Sequence, residues 1–278
     1  MTPELLDAGA TSRELVLRFS PLMDRPRLQA LFDIEREITT SLRADLDHNV
    51  AHTRLEWWSE ELARLNQATA RHPATRRLAE TSLDAGRSLP DLLGLTEAAR
   101  IDLATVAFLT RSELDDYLSL WANSLFANLC PPAADHVRQL GRCIREIELL
   151  ADWPQHAHRG RLYRPLGEPP EAHEPWVRHP LGEPECRQLR TRLGELALEL
   201  RQVVQTCSLD ELPTQTPVLL WATLAHDKAV RLQNSLPDFS ITRFEPLSRT
   251  MRAWRAAVSL SRGRLPSALR SNLWQERR

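Results

Sequence analysis

Between Val137 and Ala151 apolar residues return at steps of three and four, through Leu140, Ile144 and Ile147, until a Trp-Pro pair at 153 and 154 breaks the run. That spacing places the five on one stripe of an α-helix. The same grammar, a helical stripe closed by proline, recurs along the chain. Nineteen prolines stand against nine glycines, Leu, Ala, Arg and Glu abound, and no segment alternates apolar and polar residues between hairpin turns. Helices separated by sharp proline stops are therefore expected, and the chain is read as all-α.

A first strong helix is expected from Arg25, with Asp24 as N-cap and Leu28, Leu31, Phe32, Glu35 and Ile38 on adjoining faces, fraying near Thr39 to Ser41. A second starts near Asn49 or Ala51, carries Leu55, Trp57, Trp58, Leu62 and Leu65, and stops before His72-Pro73, where Pro73 opens the next. Segments at 74–85, 89–93, 97–109 and 112–129 follow, the last with Ser112 and Asp115 arranged as a capping box. After Pro131-Pro132 comes the opening stripe, then helices over 185–206, 216–235 and 246–261. Residues 165–184, with Pro-Leu-Gly-Glu-Pro twice, read as a proline-rich loop, and residues 1–20 and 262–278 as flexible ends. The helices bracketing the loop each need a partner to bury their faces, so a single domain over 1–278 is expected.

A formal net charge of -1 supplies no overall attraction to nucleic acid, and no such partner is expected. Cys130, Cys143, Cys186 and Cys207 lie far apart with no C-x-x-C pair, which excludes a zinc knuckle and fits a reducing cytoplasm. No apolar run approaches the roughly 20 residues of a membrane span, and the first residues lack a signal-peptide pattern. A soluble protein, at most peripheral to a membrane, is expected. Nucleophile-elbow, Walker, dinucleotide-binding and H-E-x-x-H motifs are all absent.

Chemistry has to be sought on the edge of the 137–151 stripe, where Arg145, Glu148 and Asp152 follow one another one turn apart. Facing water they are surface charge. Otherwise they form a self-neutralised ionic cluster, Arg145 lying three residues from Glu148 and seven from Asp152, or a single-metal or atypical diphosphate site.

Five segments, in this order, resemble the squalene and phytoene synthase family, the head-to-head trans-prenyl diphosphate synthases. They are LQALFDIEREI, RLEWWSEELARL, HPATRRL, RSELDDYLSLWANSLFANLC, and Leu140 to Pro165 with Gly160, Arg161, Leu162, Tyr163 and Pro165 at the family spacing from Asp152. The resemblance implies an isoprenoid-synthase-like helical bundle around a central cavity. There two allylic diphosphates, farnesyl or geranylgeranyl, lie side by side, and Mg²⁺ held by two acidic motifs on facing helices neutralises the departing pyrophosphate. In an active enzyme Glu37, Glu148 and Asp152 would hold Mg²⁺, and Arg145, Arg161 and Tyr163 would lie beside the diphosphate, Arg161 and Tyr163 being the catalytic candidates.

The acidic motifs are eroded. Ile38 and Ser41 stand where the first motif continues after Glu37, Gln155 and His156 replace an acidic pair after Asp152, and Pro154 interrupts the helix. Mg²⁺ requires oxygen ligands in octahedral order and accepts imidazole poorly. The chain therefore resembles a non-classical branch, similar to the mitochondrial complex I assembly factor of this fold, which SITRFEPLSRTMRAWRAA also resembles. That implies a pseudoenzyme binding an isoprenoid or other hydrophobic ligand, or serving a protein assembly partner. An active Mg²⁺-dependent prenyltransferase is the alternative.

Other features carry paired readings. Asp152, His156 and His158 have transition-metal spacing or lie in a solvated loop, and Asp45, Asp47, His48 and His52 are a second such cluster or a polar connection with caps. Of Trp57 and Trp58 one packs inside while the other borders a cavity or a neighbour, and Trp121, Trp221 and Trp254 fill the core or line a hydrophobic cavity. The segment holding Arg249, Arg252, Arg255, Arg262 and Arg264 among Met251, Trp254, Val258 and Leu260 is either a domain-closing helix or a membrane-surface helix.

Overall fold

The computed structural model describes residues 11–43, 46–88, 91–104, 107–130, 134–158, 161–165, 182–239 and 246–270. The helices are α1 (Ser12–Phe19), α2 (Arg25–Thr39), α3 (His48–Asn66), α4 (Pro73–Asp84), α5 (Leu93–Ala104), α6 (Arg111–Trp121), α7 (Asp135–Ala151), α8 (Trp153–His158), α9 (Glu183–Val204), α10 (Thr216–Ser235) and α11 (Pro246–Ser261). The all-α expectation holds. Two short strands join the helices, Ala107–Phe108 (β1) and Leu162–Pro165 (β2), paired in parallel. β2 is built from the Leu-Tyr segment that sequence reading had placed only by its spacing.

α10 lies at the centre. Every residue from Thr216 to His226 is buried, the pattern of a helix enclosed on all sides, and α10 packs against α7, α9, α11 and α1. α7 turns its stripe of Val137, Leu140, Ile144, Ile147 and Ala151 into the core, as its spacing predicts. α6 continues through a π-helical stretch, Ala122–Phe126, and a last turn, Ala127–Leu129. Gly141 lets α7 approach this stretch, since a Cβ there would come within 2.7 Å of the Phe126 side chain.

Several local expectations are corrected. Asp24 precedes α2, but its carboxylate makes no cap and pairs with Arg87 at 3.2 Å. The cap of α6 is Thr110, whose hydroxyl accepts from the Glu113 N–H while Glu113 accepts from the Leu109 N–H, rather than Ser112 with Asp115. The helix expected over 97–109 ends at Ala104, and that over 185–206 begins at Glu183 with Pro184 in its first turn. Trp254 is 53% exposed instead of core, whereas Trp58, Trp121 and Trp221 are buried and Trp57 borders solvent.

The ends are structured further than composition suggested. Thr11 and Glu14 form a capping box that starts α1, and Leu15 and Val16 are buried. At the other end Leu265 and Leu269 are buried, and Arg201 donates to the Ala268 carbonyl. The Pro-Leu-Gly-Glu-Pro loop, apart from its margins, lies outside the described residues, as do Asp45 and Gly160. No helix among the described residues is long and apolar enough to cross a membrane.

Candidate functional site

Where α2, α5, α6, α7 and α10 converge, five charged side chains are drawn into the core. α1 supplies the first. Its capping box sets the helix start two residues before Arg13, whose guanidinium enters the bundle and grips Glu35 of α2 with Nε (2.6 Å) and Nη2. Nη2 also lies 3.7 Å from Glu148 Oε2 of α7. The same guanidinium sits 5.0 Å from the Trp221 ring centre and 5.9 Å from that of Trp121, so its faces meet aromatic rings while its edge meets carboxylates. Trp221 Nε1 donates to Glu148 Oε1 at 2.9 Å.

A second group adjoins it. Arg145, one turn before Glu148, places its guanidinium 4.6 Å from the Trp121 ring centre and donates from Nη2 to the Tyr117 hydroxyl at 3.0 Å. Tyr117 and Tyr163 donate in turn to the two oxygens of Asp102 on α5, at 3.0 and 2.7 Å. Phe108 of β1 packs beside both tyrosines, and His156 meets Tyr163 edge-on at 4.6 Å. The β1–β2 pairing thus fixes Tyr163.

Electrostatics follow from burial and these partners. Burial pushes the Glu148 carboxyl up, but Arg13, Lys228 and Arg145 with the Trp221 hydrogen bond outweigh it, leaving Glu148 below the usual carboxylate range. Asp102 goes the other way: burial dominates and holds it above its ordinary value, although Arg145, both tyrosines and Arg161 oppose the shift. Burial likewise raises both tyrosine hydroxyls, so they act as fixed neutral donors.

The residues singled out by sequence divide clearly. Arg145, Arg161 and Tyr163 are brought together around Asp102, Tyr163 by its hydrogen bond and the two arginines by their charge. Glu148 lies at the centre. Glu37 does not reach it: Glu37 is about 40% exposed at its side chain and stands 3.9 Å from Arg54. From α2 the residues that line the cleft beside the network are Glu35, Ile38 and Thr39, and Glu37 is turned away from it because two positions along a helix rotate a side chain through about 200°. Asp152 serves as C-cap of α7, its carbonyl accepting from the Gln155 and His156 N–H groups.

Sequence reading missed Arg13, Asp102 and Tyr117 and undervalued Glu35. Their signals were present: a Thr-x-x-Glu capping box that encloses Arg13, and single acids on otherwise apolar helix faces at 35 and 102.

A cleft with an empty volume of about 250 Å³, part of it open to solvent, adjoins the network and is lined by Glu35, Ile38, Leu95, Asp102, Trp121 and Arg145 among others. Two buried donors at its wall, Arg145 Nε and Trp121 Nε1, have no hydrogen-bond partner among the described residues. The carboxylates there are already engaged by Arg13 and the two tyrosines. No group of three or more His, Cys, Asp or Glu among the described residues is placed to hold a metal ion. The donors present therefore do not fit the Mg²⁺ cluster that the acidic-motif pattern calls for.

The model of the squalene/phytoene synthase family matches residues 6–262. Among solved structures the chain is similar to squalene synthase HpnC from Alicyclobacillus acidocaldarius, at 18% identity and a TM-score of 0.61, over 79% of this chain and 87% of that one. No curated protein matches it. The family match over nearly the whole sequence, on an all-α isoprenoid-synthase scaffold, establishes that this chain belongs to the squalene/phytoene synthase family.

Proposed function

We propose that this protein is a non-catalytic member of its family, in which arginine side chains stand where metal and diphosphate would be held, and that it acts by binding rather than by prenyl transfer. The observation carrying this reading is the seat of Arg13 between Glu35 and Glu148. Each of the two helices turns one acid inward, Glu35 from α2 and Glu148 from α7, but both are neutralised by one guanidinium supplied from α1. Arg145 adds a second fixed cation beside them. Ligating Mg²⁺ would require expelling Arg13 from a position with aromatic contacts and two carboxylate partners.

Cavity size points the same way. The cleft beside the network is small: its roughly 250 Å³ includes space open to solvent, and the enclosed part has no room for two prenyl chains side by side. A small hydrophobic molecule with one hydrogen-bond acceptor suits its apolar lining and its two unpartnered donors. An assembly role, as in the non-classical branch that the C-terminal segment resembles, would use the scaffold's outer surface. In both cases the retained fold, and not ionisation of a diphosphate, is the function.

The test is calorimetric titration of the purified chain with Mg²⁺ and inorganic pyrophosphate together. No saturable heat is expected. Stoichiometric, Mg²⁺-dependent binding that disappears in Glu148→Gln would overturn the reading.

A further inference from the structure

α11 has two apolar faces where a surface helix needs one. Ala253, Ala256 and Leu260 point inward and are buried. On the opposite side Leu247, Met251, Trp254 and Val258, spaced by four, three and four residues, fall within about 60° of arc. Three of them are strongly exposed: Leu247 by 84%, Met251 by 52% and Trp254 by 53%. The outward stripe contributes nothing to the core, and a helix anchored by its inner face alone would be served by polar residues there.

The segment that carries this stripe holds charge of one sign. From residue 246 to 270 the chain holds six arginines and neither lysine nor any acid, within a protein whose formal net charge is -1. Two of the six serve the inner side: Arg252 pairs with Asp227, and Arg249 donates to the Ser12 hydroxyl at 2.7 Å. Arg255 is exposed and borders the stripe. At its C-terminal end Gly263, at a φ of +63°, closes α11 with its N–H on the Leu260 carbonyl and the Arg264 N–H on that of Ser259, and Arg262 and Arg264 are exposed there.

We propose that α11 docks the protein onto an anionic phospholipid surface, Leu247, Met251 and Trp254 entering the headgroup boundary while Arg255, Arg262 and Arg264 engage lipid phosphates. Exposed tryptophan with flanking arginine is the composition of an interfacial helix, the indole resting at headgroup depth and the guanidinium matching phosphate geometry. Size favours a bilayer over a protein groove. The stripe is about 16 Å long, a minor part of the roughly 800 Å² per partner that a stable protein interface buries, whereas shallow insertion needs only such a row.

The experiment is co-sedimentation of the full chain with vesicles of phosphatidylcholine alone, or of phosphatidylcholine containing phosphatidylglycerol. Binding to the anionic vesicles alone is expected, weakening as salt rises. Replacing Arg255 and Arg262 by Gln should weaken partitioning about 25-fold, each arginine contributing about fivefold. Met251→Ser with Trp254→Ser should abolish it while leaving the melting temperature unchanged. Leu198→Ser, at an exposed leucine of α9 outside the patch, serves as control and should bind as the unaltered chain does. Absence of binding to anionic vesicles, equal binding to neutral ones, or retention of binding by the Met251/Trp254 variant would each overturn the proposal.

Discussion

Replacing Arg13 by Met retains the length and much of the packing volume of the side chain but removes the one cation shared by Glu35 and Glu148. At the 3.7 Å separation from Glu148, and an effective dielectric constant of about 20, the lost attraction is about 4 kcal/mol, and the closer Glu35 contact adds to it. Relief of the guanidinium's own desolvation offsets part of this, and breaking a buried pair typically costs about 3–5 kcal/mol. For a chain of this size that corresponds to a fall in Tm of roughly 10 °C. The pH dependence should change sign. In the unaltered protein Glu148 lies below its unfolded value, so its contribution is present above the unfolded pKa near 4.5 and is lost as pH falls further. In Arg13→Met the buried Glu148 carboxyl loses its largest opposing charge and its pKa rises, so the folded state binds a proton that the unfolded state releases. Its stability then recovers as pH falls from 7 toward 4.5. Urea denaturation at several pH values measures both effects, and adding Glu148→Gln to the Met variant should restore at least about 1.5 kcal/mol at pH 7. A loss below about 1 kcal/mol, or additivity of the two substitutions, would refute the claim that Arg13 is the counter-ion of this site.

Three further outcomes follow from neighbouring contacts. Tyr163→Phe removes one of the two donors to buried Asp102 and should cost about 1–3 kcal/mol in urea denaturation, with a deficit that grows as pH rises above the ordinary aspartate range, because a raised carboxyl pKa destabilises the ionised form. Gly141→Ala forces a methyl against the Phe126 side chain and should destabilise by about 1–3 kcal/mol in the same assay. His226 is buried, and burial together with Arg201 lowers it to about 4 despite Asp227, so unfolding gains a proton there between pH 6.5 and 4. Stability contributed by the neutral ring, up to about 3 kcal/mol, should be complete above pH 6.5 and decline toward pH 4, a slope that His226→Gln flattens.

The helices were legible because their determinants are local. The 137–151 stripe, the start at Pro73, and the bounds of α10 and α11 follow from periodicity and proline alone, and the structure reproduces them. Ionic partners are not local. Glu35 occupies an apolar-stripe position and so announces burial, but nothing in the sequence says that its partner lies twenty-two residues earlier on a helix expected to be a flexible end. Glu37 was favoured by its register against the family motif, whereas the turn of α2 presents Glu35. The tyrosine pair on Asp102 depends on a short parallel pairing between segments more than fifty residues apart, a contact that no period reveals. Arg145 was legible as a candidate neutraliser of acids on its own helix. That it answers to Tyr117 and the Trp121 ring required the fold.

The central claim is that this site no longer ionises a diphosphate. Purified protein should be incubated with Mg²⁺ and farnesyl or geranylgeranyl diphosphate, and release of pyrophosphate measured against Asp152→Ala and Glu148→Gln controls. The account predicts release indistinguishable from both variants and from buffer. Mg²⁺-dependent release well above them, lost when Glu148 is neutralised, would contradict it.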